Sequence, residues 1–127
     1  MRRATALTLL LTTLPLCACA PKPEPAAPAP LALDCSMAFD AQSAKLTAQP
    51  HLVPAPHAPG EPYAYYSMED GHASYLITLK GAPGYPAILM QSAHGGQVTT
   101  TGCPYGDAKG YKQLMAYLDS LKTWTRK

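Results

Sequence analysis

Apolar positions along this chain fall into three regimes. An uninterrupted apolar run from Ala4 to Leu16 gives way to a proline-rich stretch, and from Leu31 onward apolar and polar residues interleave. The clearest period of two lies in the segments 63–68 and 73–80, both rich in aromatic and β-branched residues, on either side of Glu69-Asp70-Gly71-His72. Asp-Gly between two such runs is a strong hairpin signal, because the two-residue turn needs positive φ that Asp tolerates and Gly adopts freely. With Asp70 and Gly71 as the turn, Tyr66 faces Tyr75, Ala64 faces Ile77 and Met68 faces Ala73, which makes one apolar face. The other face pairs Tyr63, Tyr65 and Ser67 with Thr78, Leu76 and Ser74 and is mixed in character.

A second turn at Gly81-Ala82-Pro83-Gly84 leads to a third predicted strand near Ala87 to Gln91. His94-Gly95-Gly96 then turns into a fourth, Gln97 to Thr101, reaching Cys103. The last element reads as a helix. Asp107 is a good N-cap, and Tyr111, Leu114, Leu118 and Leu121 form one apolar stripe with Met115 and Trp124 beside it, while Lys122, Arg126 and Lys127 suit the negative end of the dipole. Before the sheet, Leu31, Leu33, Cys35, Met37 and Phe39 alternate as in a strand, although 38–46 fits a short helix equally well. The stretch from Gln49 to Pro62 carries five prolines and reads as an irregular connection. The expected fold is therefore α+β: a four-stranded antiparallel meander, a C-terminal helix packed on the Ala64, Tyr66, Met68, Tyr75, Ile77 face, and an N-terminal segment pinned through Cys35. The expected organisation is a signal over 1–18, a tether over 19–30 and a small domain over 31–127.

The start of the chain has the form of an export signal. Arg2 and Arg3 precede the uncharged run from Ala4 to Leu16, which is shorter than the roughly 20 apolar residues needed to cross a bilayer. The run ends in Leu16-Cys17-Ala18-Cys19, which resembles the lipobox of bacterial lipoproteins, where a leucine and small residues precede an obligatory cysteine. That resemblance covers the signal peptide only. It implies cleavage before the cysteine, a diacylglyceryl thioether on its sulfur, and often acylation of the freed amine. Bulky Leu16 fits poorly beside a cut before Cys17, so Cys19 is the expected acceptor. Two or three acyl chains, at about 0.8 kcal/mol per buried methylene, hold a protein stably on a bilayer where one does not. Ala20 stands where an Asp would favour retention in the inner membrane, so the implied address is the outer membrane, facing the periplasm. An ordinary signal cut near Ala20 is the alternative, and it would release a soluble periplasmic protein.

Charge follows from this processing. Removing Arg2 and Arg3 leaves eight basic residues against eight acidic ones, with no basic run to neutralise a phosphate backbone, so nucleic acid is not an expected partner. Half of the residues from Pro21 to Pro30 are proline. In a polyproline II conformation of about 3.1 Å per residue, the segment between Cys19 and Leu31 would hold the domain roughly 35 Å from the lipid surface. Cys35 and Cys103 are the two cysteines left to the domain, and in an exported, oxidising compartment such a pair is expected as a disulfide.

Candidate chemistry is sparse. No Gly-x-Ser-x-Gly or other nucleophile context occurs, and the one dense titratable cluster, Glu69, Asp70 and His72, brackets a turn where solvated polar side chains belong anyway. His51 and His57 are separated by prolines and lack the same-face spacing of a helical zinc site. Gly102 to Asp107 is glycine-rich before a helix, but lacks the Gly-Lys-Ser/Thr ending of a phosphate loop, and Pro104 removes one donor. No catalytic residue, metal ligand or cofactor is assigned. Eight tyrosines against one phenylalanine fit first a role in core and hairpin stability, and second a wet contact surface, because tyrosine offers area with a hydrogen-bonding tip. Tyr63, Tyr65 and Leu76, left opposite the expected helix face, are thus either covered by the segment 31–39 or form an aromatic contact surface. The terminus Trp124-Thr125-Arg126-Lys127 resembles the end of Braun's lipoprotein, whose terminal lysine is joined to peptidoglycan; that family is a long coiled coil and this chain is not. The expectation is a non-enzymatic envelope lipoprotein that contacts an envelope protein or peptidoglycan. Inhibition of a cell-wall hydrolase such as lysozyme, and a small hydrolase or metal-binding role, are the alternatives.

Overall fold

The computed structural model describes residues 19–23 and 29–122. The signal over 1–18, part of the tether, and the positions of Trp124, Arg126 and Lys127 lie outside the described residues. The order of elements is α1 (Phe39–Thr47), β1 (Leu52–Pro54), β2 (Tyr63–Met68), β3 (Ala73–Thr78), β4 (Ala87–His94), β5 (Gln97–Pro104) and α2 (Ala108–Leu121). The five strands form one antiparallel meander in sequence order.

The hairpin register matches the one read from Asp70-Gly71. Tyr66 pairs with Tyr75, Ala64 with Ile77, and Tyr65 with Leu76, and Gly71 takes φ +74°. Tyr75 continues the row to Met90, and Leu76 continues it to Leu89 and Gly102. The strand count, however, is five and not four. Leu52, Val53 and Pro54 pair with Met68, Ser67 and Tyr66 within the proline-rich stretch read as irregular. Pro54 is tolerated because β1 is an edge strand, where a missing N–H leaves no inner ladder bond unmade.

The face taken by the C-terminal helix is also corrected. Both faces of the sheet are covered. Leu46, Met68, Ala73, Tyr75, Ile77, Ile88 and Met90 form one core, closed by Leu31, Leu33 and Phe39 of the N-terminal segment and α1. Leu76, Ala87 and Leu89 form the second core with Leu114 and Leu118 of α2. The helix therefore lies over Tyr63, Tyr65 and Leu76, and the N-terminal segment covers the face expected to hold the helix. Close backbone approach makes this docking possible. A Cβ on Gly110 would meet the backbone of Pro83 and Gly84, and one on Gly102 would meet the Tyr111 ring, so α2 descends onto the sheet only because those side chains are missing.

Of the two readings for the N-terminal segment, the helix is the one formed. Phe39, Gln42 and Leu46 recur at helical spacing; Leu46 and Gln42 are fully buried, and the Gln42 amide oxygen accepts the Asp34 N–H at 3.1 Å. Ahead of α1, the Tyr75 hydroxyl donates to the Leu31 carbonyl at 2.7 Å. Cys35 is joined to Cys103 across 68 residues of sequence, which ties this segment to β5. At the other end Asp107 caps α2 by accepting the Gly110 N–H at 2.7 Å.

Candidate functional site

Packing α2 over the β2 end of the sheet creates a groove of about 410 Å³. Tyr63 and Tyr65 form its sheet side, Leu114 its floor, and Gln113 and Tyr117 its helix side, with Glu61 at the mouth of the loop before β2. Each side chain arrives by a simple rule. Residues 63 and 65 share a face because side chains alternate along a strand, and 113, 114 and 117 share a flank because i, i+3 and i+4 neighbours stack along a helix. Pro62 and Pro83 stiffen the rim, and the glycine contact between 84 and 110 holds the helix end against the 83–84 loop.

The tyrosine rings of 63 and 65 lie 6.3 Å apart and are tilted by 52°. Tyr117 stands 53% exposed on the outer flank of α2, while Leu76, packed with Leu114 and Leu118, is only 2% exposed. Burial pushes the Tyr65 phenol above its ordinary value, and the neighbouring Tyr117, Glu61 and Tyr63 add to the shift. The three phenol hydroxyls and the Gln113 amide make no hydrogen bond to another described residue. The Glu61 carboxylate accepts the Ala58 N–H at 3.3 Å, which holds the loop and leaves its second oxygen uncommitted.

These positions revise the aromatic surface expected from the sequence. Tyr63 and Tyr65 do line a surface groove, but Leu76 belongs to the core under α2 and contributes no contact area. Glu61, Gln113 and Tyr117 were missed. The available signal for Tyr117 was a large aromatic residue off the apolar stripe of an amphipathic helix. Glu61 carried no signal at all, since only the packing of α2 brings its loop to the groove.

The remaining clusters are committed to local structure. His51 pairs with Glu69 at 2.9 Å and His72 with Asp70 at 3.3 Å, two exposed pairs at the hairpin end of the sheet. A second hollow, between the β2–β3 turn, the far ends of β4 and β5 and the end of α2, contains Gln91 and Lys122. There the Gln91 amide donates to the Leu118 carbonyl at 2.9 Å, and Lys122 pairs with Asp119 at 2.8 Å. Among the described residues no group of three His, Cys, Asp or Glu side chains is arranged to hold a metal, and no helix is long and apolar enough to cross a membrane. Cys19 is exposed and unpaired.

The chain matches no protein-family model, and comparison with curated proteins and with solved structures likewise finds no match.

Proposed function

We propose that this protein is a lipid-anchored envelope lipoprotein whose disulfide-bonded domain acts as a non-enzymatic binding module held off the membrane by a proline-rich tether. The observation that carries the reading is the cysteine at position 19. It follows a charged start, an apolar run and Leu16-Cys17-Ala18, and it precedes a segment that offers almost no surface for folding. The other two described cysteines are joined to each other, as suits an oxidising compartment, while Cys19 is exposed with its sulfur unpaired. The tether supports the same reading, since residues 19–23 are exposed throughout. The outer membrane, facing the periplasm, is the address that Ala20 favours.

Metabolic labelling with palmitate tests this directly. Wild-type protein and Cys17→Ser take up label and sediment with membranes, whereas Cys19→Ser loses both. Continued labelling of Cys19→Ser would overturn the assignment.

A further inference from the structure

We propose that the groove between β2 and α2 is a binding site for a neutral saccharide, with Tyr63, Tyr65 and Tyr117 as stacking surfaces and Glu61 and Gln113 as hydrogen-bonding groups. Its size falls in the ~300–1,000 Å³ range of small-ligand sites. The choice of ligand class follows from the lining. Sugar rings present apolar C–H faces and a rim of hydroxyls, and tyrosine matches both needs with a flat ring and a polar tip. The uncommitted phenols and the Gln113 amide supply donors and acceptors, and the free oxygen of Glu61 accepts from hydroxyls. None of the described residues lining the groove is basic, so a phosphate or carboxylate ligand would meet the Glu61 charge with nothing to offset it. The described residues 19–23 at the start of the tether are exposed and do not line the groove.

The walls are set in advance. Tyr63 and Tyr65 stand on a paired strand, and α2 is locked at the 84–110 contact, so binding would order few groups beyond the ring of Tyr117. This inference deepens the reading of the domain as a binding module, and it does not depend on the anchor.

The test uses the mature full-length chain in detergent, both wild type and Cys19→Ser, titrated by calorimetry with chitotetraose and, separately, maltotetraose. Saturable binding of either sugar is expected, equal in the two proteins, and the preference between them separates an N-acetylated cell-wall source from a plain glucan. Tyr117→Ala should weaken binding about tenfold or more, as loss of an exposed aromatic anchor does, with an unchanged melting temperature because the ring is half exposed. Glu61→Gln should weaken it severalfold, and Val53→Ala, on an exposed edge away from the groove, should leave it unchanged. No binding of either sugar, or binding that Tyr117→Ala leaves intact, would overturn the proposal. So would binding at the same residues of a peptide with the sequence 20–30 in place of the sugars. A failed lipidation assay with intact sugar binding would refute the anchor alone.

Discussion

The side chain of Thr78 offers the sharpest test of how the end of β3 is joined to the start of β4. Thr78 is 1% exposed at the end of β3, and its hydroxyl accepts the Ala87 N–H at 2.8 Å while donating to the Ala87 carbonyl at 3.0 Å. Ala87 is itself fully buried, so no water can replace either bond. Thr78→Val keeps the shape and removes both partners. Two buried backbone groups left unsatisfied cost about 1–3 kcal/mol each, and burying a methyl in place of the hydroxyl returns about 1 kcal/mol, so a net loss of about 1–5 kcal/mol, centred near 3, is expected. For a domain of this size each kcal/mol lowers the melting temperature by roughly 4–8 °C, so the central value corresponds to about 12–24 °C. Thr78→Ser keeps the hydroxyl and loses only a methyl, at about 1 kcal/mol. Circular dichroism melts of both variants decide the matter. Apolar burial alone ranks serine as the worse substitution, and the hydrogen-bond argument ranks valine worse. A Thr78→Val protein within about 0.5 kcal/mol of wild type would refute the reasoning.

Two further outcomes follow from other contacts. Either Cys35→Ser or Cys103→Ser should lower stability by about 4 kcal/mol, because a crosslink over 68 residues restricts the unfolded chain by that amount; non-reducing mass spectrometry of wild type should find no alkylatable thiol at these positions. Stability should also fall at both extremes of pH. The Ser36 hydroxyl and N–H hold the Asp34 carboxyl low, the His72 N–H does so for Asp70, and Lys122 with Thr100 does so for Asp119. Carboxyls lowered in the folded state stabilise it above their unfolded value of about 3.9, and the contribution is lost as pH falls below that. Burial raises the phenols of Tyr65, Tyr75, Tyr105 and Tyr111, so their contribution is present below about pH 10 and disappears as pH climbs past it. A melting temperature that rises below pH 4 would contradict the acidic half, and phenols that ionise at their free value would contradict the alkaline half.

Local chemistry made a good part of this fold legible from residues alone. Asp70-Gly71 sets the register of β2 against β3 because a two-residue turn fixes the pairing, and a side-chain period of two then sorts Tyr66 from Tyr65. Asp107 announces α2 because a carboxylate can satisfy an otherwise orphaned N–H within one turn. The disulfide followed from counting cysteines once export was read from the first residues. Other features depend on partners distant in sequence. β1 is a strand only because Met68, Ser67 and Tyr66 lie opposite it and the backbones of Tyr65 and Glu69 bond to Ala55 and His51 at its two ends, and no period shows in three residues that include a proline. Alternation along β2 and β3 separates two faces without saying which is which, and both are apolar enough to be buried. The choice is made where Gly110 meets Gly84 and Gly102 meets Tyr111, close approaches that bring α2 down on Leu76 and Leu89 and leave the other face to Leu46 and the disulfide-tied segment. The groove follows from that choice. Tyr63 and Tyr65 were visible as candidates, but Tyr117, Gln113 and Glu61 join them only through the packing of α2, since convergence of side chains from a loop, a strand and a helix is a property of tertiary geometry and not of any one segment.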